Sequence, residues 1–151
     1  MSNLITVTFL LFLTAAMHGQ DQPFVVMPRI DLHGALNLCS REGVPTVDGS
    51  WEPTEGDLKG LESNLSRISK LRSMDGLRGV RIVHPSRYYR QYVAVVVGGR
   101  KMIYVNAIAT EVPKDWRERL VNMCDGGTGS WGVLYDPRTH KFSELRTNGI
   151  G

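Results

Sequence analysis

The chain has 151 residues, is 42% hydrophobic and carries 18 basic against 15 acidic side chains, a formal charge of +3. That length holds one domain with its own core, and the apolar content excludes a disordered tail. Charges of both signs are interleaved, as in Lys114-Asp115-Trp116-Arg117-Glu118-Arg119; this is a solubilising surface, so no nucleic-acid partner is expected.

Residues 1–19 read as a secretory signal peptide. Leu4 to Ala16 is an uncharged apolar run followed by small residues, with cleavage near Ala16 or Gly19, and the run is too short to span a bilayer. No Lys or Arg precedes it, so the α-amino group alone supplies the positive end. A secreted or periplasmic location follows, without a stable membrane anchor. Cys39 and Cys124 can pair in such a compartment or stay reduced. A bridge would close a long loop and contribute ~3 to 5 kcal/mol.

Residues 20–50 carry Pro23, Pro28 and Pro45 with Gly34, Gly43 and Gly49 and show no sustained period, which predicts an extended N-terminal arm or linker. Two short apolar pieces in it, Phe24 to Met27 and Ala35 to Leu38, can dock on a domain spanning 51–151. That domain opens with a helix. Thr54 is its N-cap with Asp57 three residues on, and Leu58, Leu61, Leu65, Ile68 and Leu71 recur at steps of three and four. Gly56 and Gly60 weaken it by about 1 kcal/mol each relative to Ala, so packing of the leucine stripe must hold it.

The stretch from Arg87 to Ala109 is the centre of the domain: two β-branched and aromatic runs joined at Gly98-Gly99, a pair that supplies the positive φ values of a two-residue primed turn. Val93 and Val95 are expected to share one core with Leu61 and Leu65. Pro113 starts a short turn, Leu120 to Cys124 resumes a strand, and Asp125 to Ser130 turns the chain. Trp131 to Tyr135 and Phe142 to Thr147 are further strands, separated by a turn at Asp136 to His140. The predicted fold is α+β, with one N-terminal amphipathic helix packed on a four-stranded antiparallel sheet in two layers.

Chemistry is sparse in this pattern. Gly126-Gly127-Thr128-Gly129-Ser130 follows a strand like a phosphate cradle, but a strand and not a helix comes after it. Asp125 beside its glycines lacks the second acid that a calcium loop needs. The histidines His18, His33, His84 and His140 are scattered, so no metal spacing exists. No serine sits in a Gly-x-Ser-x-Gly elbow, and the acid after Cys124 disfavours a thiolate. Catalytic, cofactor and metal residues are therefore assigned to none. The basic and aromatic segment from Arg78 to Arg90 mixes the residue types that a polyanion site uses; snorkelling arginines at a strand start account for it more simply. Asp125, Gly126, Gly127 and Trp131 form the candidate interaction loop. The leading reading is a secreted non-enzymatic binding or inhibitory module for an extracytoplasmic protein or peptide. The alternative is a small secreted hydrolase using Asp125 with His84 or His140.

Trp51-x-Pro53-Thr54, Tyr89-Arg90-Gln91-Tyr92, Ile103-Tyr104-x-Asn106, Cys124-Asp125-Gly126-Gly127, Trp131-Gly132-Val133-x-Tyr135-Asp136 and Phe142-Ser143-x-Leu145-x-x-Asn148-Gly149 together resemble small uncharacterised secreted proteins and lipoproteins of bacteria. The likeness covers Trp51 to Gly149. It implies an extracytoplasmic location and brings no activity with it. Unlike the lipoprotein members, this chain lacks a lipid-attachment cysteine.

Overall fold

The computed structural model describes residues 22–28, 36–39, 41, 44–109 and 111–150; the signal-peptide expectation lies outside them. In chain order the elements are β1 (Phe24–Val26), β2 (Gly49–Ser50), α1 (Glu55–Asn64), β3 (Tyr89–Val97), β4 (Arg100–Ile108), β5 (Ser130–Asp136) and β6 (Lys141–Thr147). Gly98 and Gly99 take φ of 55° and 72°, so the chain reverses in two residues and β3 pairs with β4 along its whole length, Tyr89 opposite Ile108 and Val97 opposite Arg100.

The sheet has six strands where four were expected. Its order is β1-β3-β4-β5-β6, and β2 lies beside β1 along the same edge of β3. It is also mixed. β1 runs parallel to β3, a pairing that needs a long connection such as the one here, which contains α1, whereas β2, joined to β3 through the same helix, pairs antiparallel. Both additional strands come from the arm, whose proline-rich composition hides two- and three-residue strands from any period search. Among the described residues no helix is long and apolar enough to cross a membrane.

Helix α1 begins as the sequence indicates. Thr54 Oγ1 accepts from Asp57 N while the Asp57 carboxylate accepts from Thr54 N, a reciprocal capping box. The α-helix is shorter than the leucine stripe. Asn64 Nδ2 donates to the Gly60 carbonyl at 2.8 Å, competing for the oxygen that the helical ladder would use, and the chain tightens into a 3-10 turn over Leu65–Lys70. The stripe still reaches the sheet: Leu61, Leu65 and Ile68 are buried against Tyr92, Ile103, Val105, Trp131, Val133 and Tyr135.

Val93 and Val95 do not join that core. Side chains alternate across a strand, so with Tyr92 facing α1 they point the other way, and there they meet Met27, Leu36, Leu38, Met102, Tyr104 and Leu134. The expectation of one core shared by Val95 and Leu61 is thus corrected to two cores on opposite faces, and the two-layer architecture to three layers: helix, sheet and arm. Backbone bonds lock the arm to β3, with Met27 N donating to Tyr92 O and Asp48 N to Val96 O, each at 2.8 Å. Cys39 and Cys124 form a disulfide across a sequence separation of 85. In the chain-entropy picture a loop of that size is worth about 4 to 5 kcal/mol.

Leu120 to Cys124 is not a strand. Its backbone is satisfied by side chains instead: the Gln91 side-chain oxygen accepts from Val121 N and Asn106 Nδ2 donates to Val121 O, both at 2.8 Å. Two buried amides thereby take the place of a partner strand.

Candidate functional site

The second face of the sheet is polar at one end, where Gln91, Asn106, Ser130 and Asn148 are buried. An arginine from the arm fills the space above them. Arg41, 2% exposed, donates from Nη1 to Tyr104 Oη at 2.6 Å and to Asn106 Oδ1 at 2.8 Å. Its Nη2 donates to Ser130 Oγ at 2.8 Å and its Nε to Asn148 Oδ1 at 2.9 Å. A buried cation is costly unless its donors are met, and these four neutral oxygens meet them in a planar fork. Gly132 makes the arrangement fit, because a Cβ there would lie 2.1 Å from Tyr104 Oη. The network continues through Asn106 to Gln91, whose amide nitrogen donates to the carbonyls of Trp116 and Arg119. All of these groups are spent on one another, which makes the cluster a clamp between arm, sheet and the loop around Trp116.

On the helix face Arg90 is buried against Glu62, Nη2 to Oε2 at 3.1 Å, and donates from Nε to Tyr92 Oη at 2.9 Å. Tyr92 in turn donates to Glu62 Oε1. Burial, and secondarily the Glu62 carboxylate, pushes the Tyr92 phenol well above its ordinary value, with Arg90 opposing. Burial likewise raises Tyr88, offset by the Trp131 indole N–H, and Tyr135, where the Asp57 carboxylate adds to the effect. A phenol raised in the folded state keeps its proton after the unfolded chain has lost it near pH ~10. The folded state then binds more protons, so stability is fully present below pH ~10 and falls as the pH rises beyond it. Thermal melts from pH 8 to 12 followed at the phenolate absorbance are expected to stay level to about pH 10 and then drop, with most phenolate appearing only on unfolding.

The candidates from the sequence are dispersed. Asp125 and Gly126 are exposed, but Gly127 is buried and so is Trp131, whose ring packs edge-on against Tyr88 at 5.2 Å inside the helix-side core. The proposed interaction loop therefore cannot present its tryptophan. His140 ends the β5–β6 turn, with Nδ1 2.7 Å from Tyr135 Oη, whereas Asp125 precedes β5. Seven strand residues, about 20 Å of chain, separate the two. His84 sits near the start of β3 on a cleft that Asp125 does not line. A second cleft beside it brings His84 near Ser63, Ser66, Ser69 and Ser86. There the Ser63 and Ser69 hydroxyls donate to the carbonyls of Lys59 and Ser66.

Trp51 is the functional candidate that sequence reasoning passed over, having marked only a domain boundary and a motif residue there. Its indole N–H is shared between the carbonyls of Val95 and Met102, at 3.1 and 2.9 Å, so the ring stands fixed near the turn end of the β3–β4 hairpin. It walls two clefts. One, of about 230 Å³, includes Val26, Met27 and Pro28 of the arm. The other, of about 460 Å³, includes Glu52, Arg100, Lys101, Asp136 and Arg138. Asp136 is already engaged by the backbone N–H groups of Arg138 and Thr139, and Lys101 Nζ lies 5.3 Å over the Trp51 ring. Asp57, also in the lining, is engaged by the Thr54 N–H and hydroxyl, so among the described residues Glu52, Arg100 and Arg138 remain to meet a ligand. The chemistry on offer is a rigid aromatic surface flanked by one carboxylate and two guanidinium groups. No family model, no curated protein and no solved structure matches the chain.

Proposed function

We propose that this protein is an extracytoplasmic, non-enzymatic binding module that takes a peptide segment of a partner protein in the paired clefts beside Trp51. The single observation behind this reading is the fixed indole that lines two clefts. A ring held by two backbone carbonyls loses little freedom on binding, and aromatic anchors of that kind supply contact area at low entropic cost. Charges of both signs at the rim suit a peptide, which carries both. The Cys39–Cys124 bond supports the oxidising compartment, in agreement with the expected leader.

Trp51 is half-buried while Trp116 and Trp131 are buried, so intrinsic fluorescence reads the site. Protein secreted with its own leader is expected to capture a partner from the surrounding fluid and to change its Trp51 emission on doing so. The Arg100→Ala, Arg138→Ala double variant, altered only at exposed positions, is expected to fold normally and bind about tenfold or more weakly, a loss of ~1.4 kcal/mol. Unchanged capture by that variant, with unchanged emission, would count against the site.

A further inference from the structure

A different cleft, of about 310 Å³, opens beside the start of β3 and is walled by Arg81, His84, Arg87, Tyr88 and Thr128. No Asp or Glu lines it, and the chain has none between Asp75 and Glu111. Most other described arginines are spent. Arg67, Arg72 and Arg78 donate to backbone carbonyls, and Arg90, Arg119 and Arg146 pair with carboxylates. Among the described residues, the side chains of Arg81, His84 and Arg87 have neither a hydrogen bond nor an ion pair.

Their backbone is nonetheless held. Ile82 and Pro85 are buried on either side of the exposed Val83 and His84, and Arg87 N closes a turn on His84 O at 3.1 Å. Tyr88 Oη donates to Thr128 O at 3.0 Å, fixing the opposite wall. Cations that converge on one cavity without counter-charge repel one another, an arrangement that an incoming anion relieves. Guanidinium forks match the paired oxygens of a tetrahedral oxyanion. Val83, 70% exposed, forms an apolar rim where the body of an ester would rest.

We propose that this cleft is a binding site for a phosphate or sulfate monoester group, held by Arg81 and Arg87 with His84 at its edge. It is independent of the Trp51 clefts, and either site can fail without the other. The test titrates inorganic phosphate, then sulfate, into isotope-labelled protein while following the arginine Nε–H and histidine signals. A parallel arm measures sedimentation with phosphatidylcholine vesicles that contain phosphatidic acid.

Saturable shifts at Arg81, Arg87 and His84 are expected, weakening as salt is added. Affinity is expected to fall at least about tenfold in the Arg81→Ala, Arg87→Ala double variant. The exposed Lys59→Ala, Lys70→Ala double variant, equal in charge change but off the cleft, should keep it. Binding of phosphate without vesicles identifies a soluble ester, and vesicle binding competed by phosphate identifies a lipid headgroup; both sustain the site. Non-saturating shifts, or equal affinity in the Arg81→Ala, Arg87→Ala variant with an unchanged melt, overturn it. So does vesicle binding that neither phosphate nor that variant reduces.

Discussion

Arg41→Ala is expected to destabilise the protein by about 3 to 5 kcal/mol, because it strips the donors from four buried oxygens and leaves a cavity between arm and sheet. The acceptors are Tyr104 Oη, Asn106 Oδ1, Ser130 Oγ and Asn148 Oδ1. Rotation of the two hydroxyls can recover part of the loss, which keeps the figure below the sum of four orphaned groups. Arg41→Met separates the contributions: it restores most of the volume and none of the donors, so it should recover the cavity share alone. Urea unfolding with an unchanged slope gives both values. A change within about 0.5 kcal/mol, the range of an ordinary surface substitution, would mean that the arginine is not holding the arm.

Val95→Asp is expected to cost at least about 4 kcal/mol, against a total stability of ~5 to 15 kcal/mol for a domain of this kind. Val95 is fully buried in a cluster with Met27, Leu36, Leu38, Met102, Tyr104 and Leu134, where the one polar side-chain group, the Tyr104 hydroxyl, is already engaged by Arg41, so an introduced carboxylate is left without a partner. The damage has a place as well as a size. Val95 faces the arm, so the arm should detach first while α1 keeps its contacts through Leu61 and Leu65. Arg138→Ala, on an exposed turn, should stay within about 0.5 kcal/mol. Thermal melts rank the two, and circular dichroism retained after arm release distinguishes local detachment from global unfolding.

Elements whose rule is local were legible in the chain. The Gly98-Gly99 turn, the Thr54 and Asp57 cap and the leucine stripe of α1 each follow from residues within a few positions of one another. The arm was not legible, for two physical reasons. Its strands, three and two residues long, are too short to show a period, and their partners lie more than 40 residues away in β3. The second reason lies in the sheet. Gln91 and Asn106 alternate with apolar neighbours as solvent-facing residues do, and only the arrival of Arg41 from a stretch without pattern turns that face into an interior. Trp51 was missed likewise, since what fixes its ring is a pair of backbone carbonyls, one on β3 and one on β4, that no side-chain pattern announces. Asp125 and His140 lie beyond opposite ends of β5, because proximity in sequence to a glycine turn says nothing about which end of a strand a residue occupies.

The arm is a structural part of the domain: it covers the second core, supplies half of the disulfide and lines one of the two clefts at Trp51 with Val26, Met27 and Pro28. Native-state amide hydrogen exchange tests this most directly. The amides of Met27 and Asp48, bonded to Tyr92 O and Val96 O, are expected to be protected on the timescale of β3 and β4. In Arg41→Ala they should lose that protection before Leu61 or Val105 does. Exchange of Met27 and Asp48 at the rate of an unfolded chain, with β3 to β6 still protected, would contradict it and return residues 20–50 to the status of a linker.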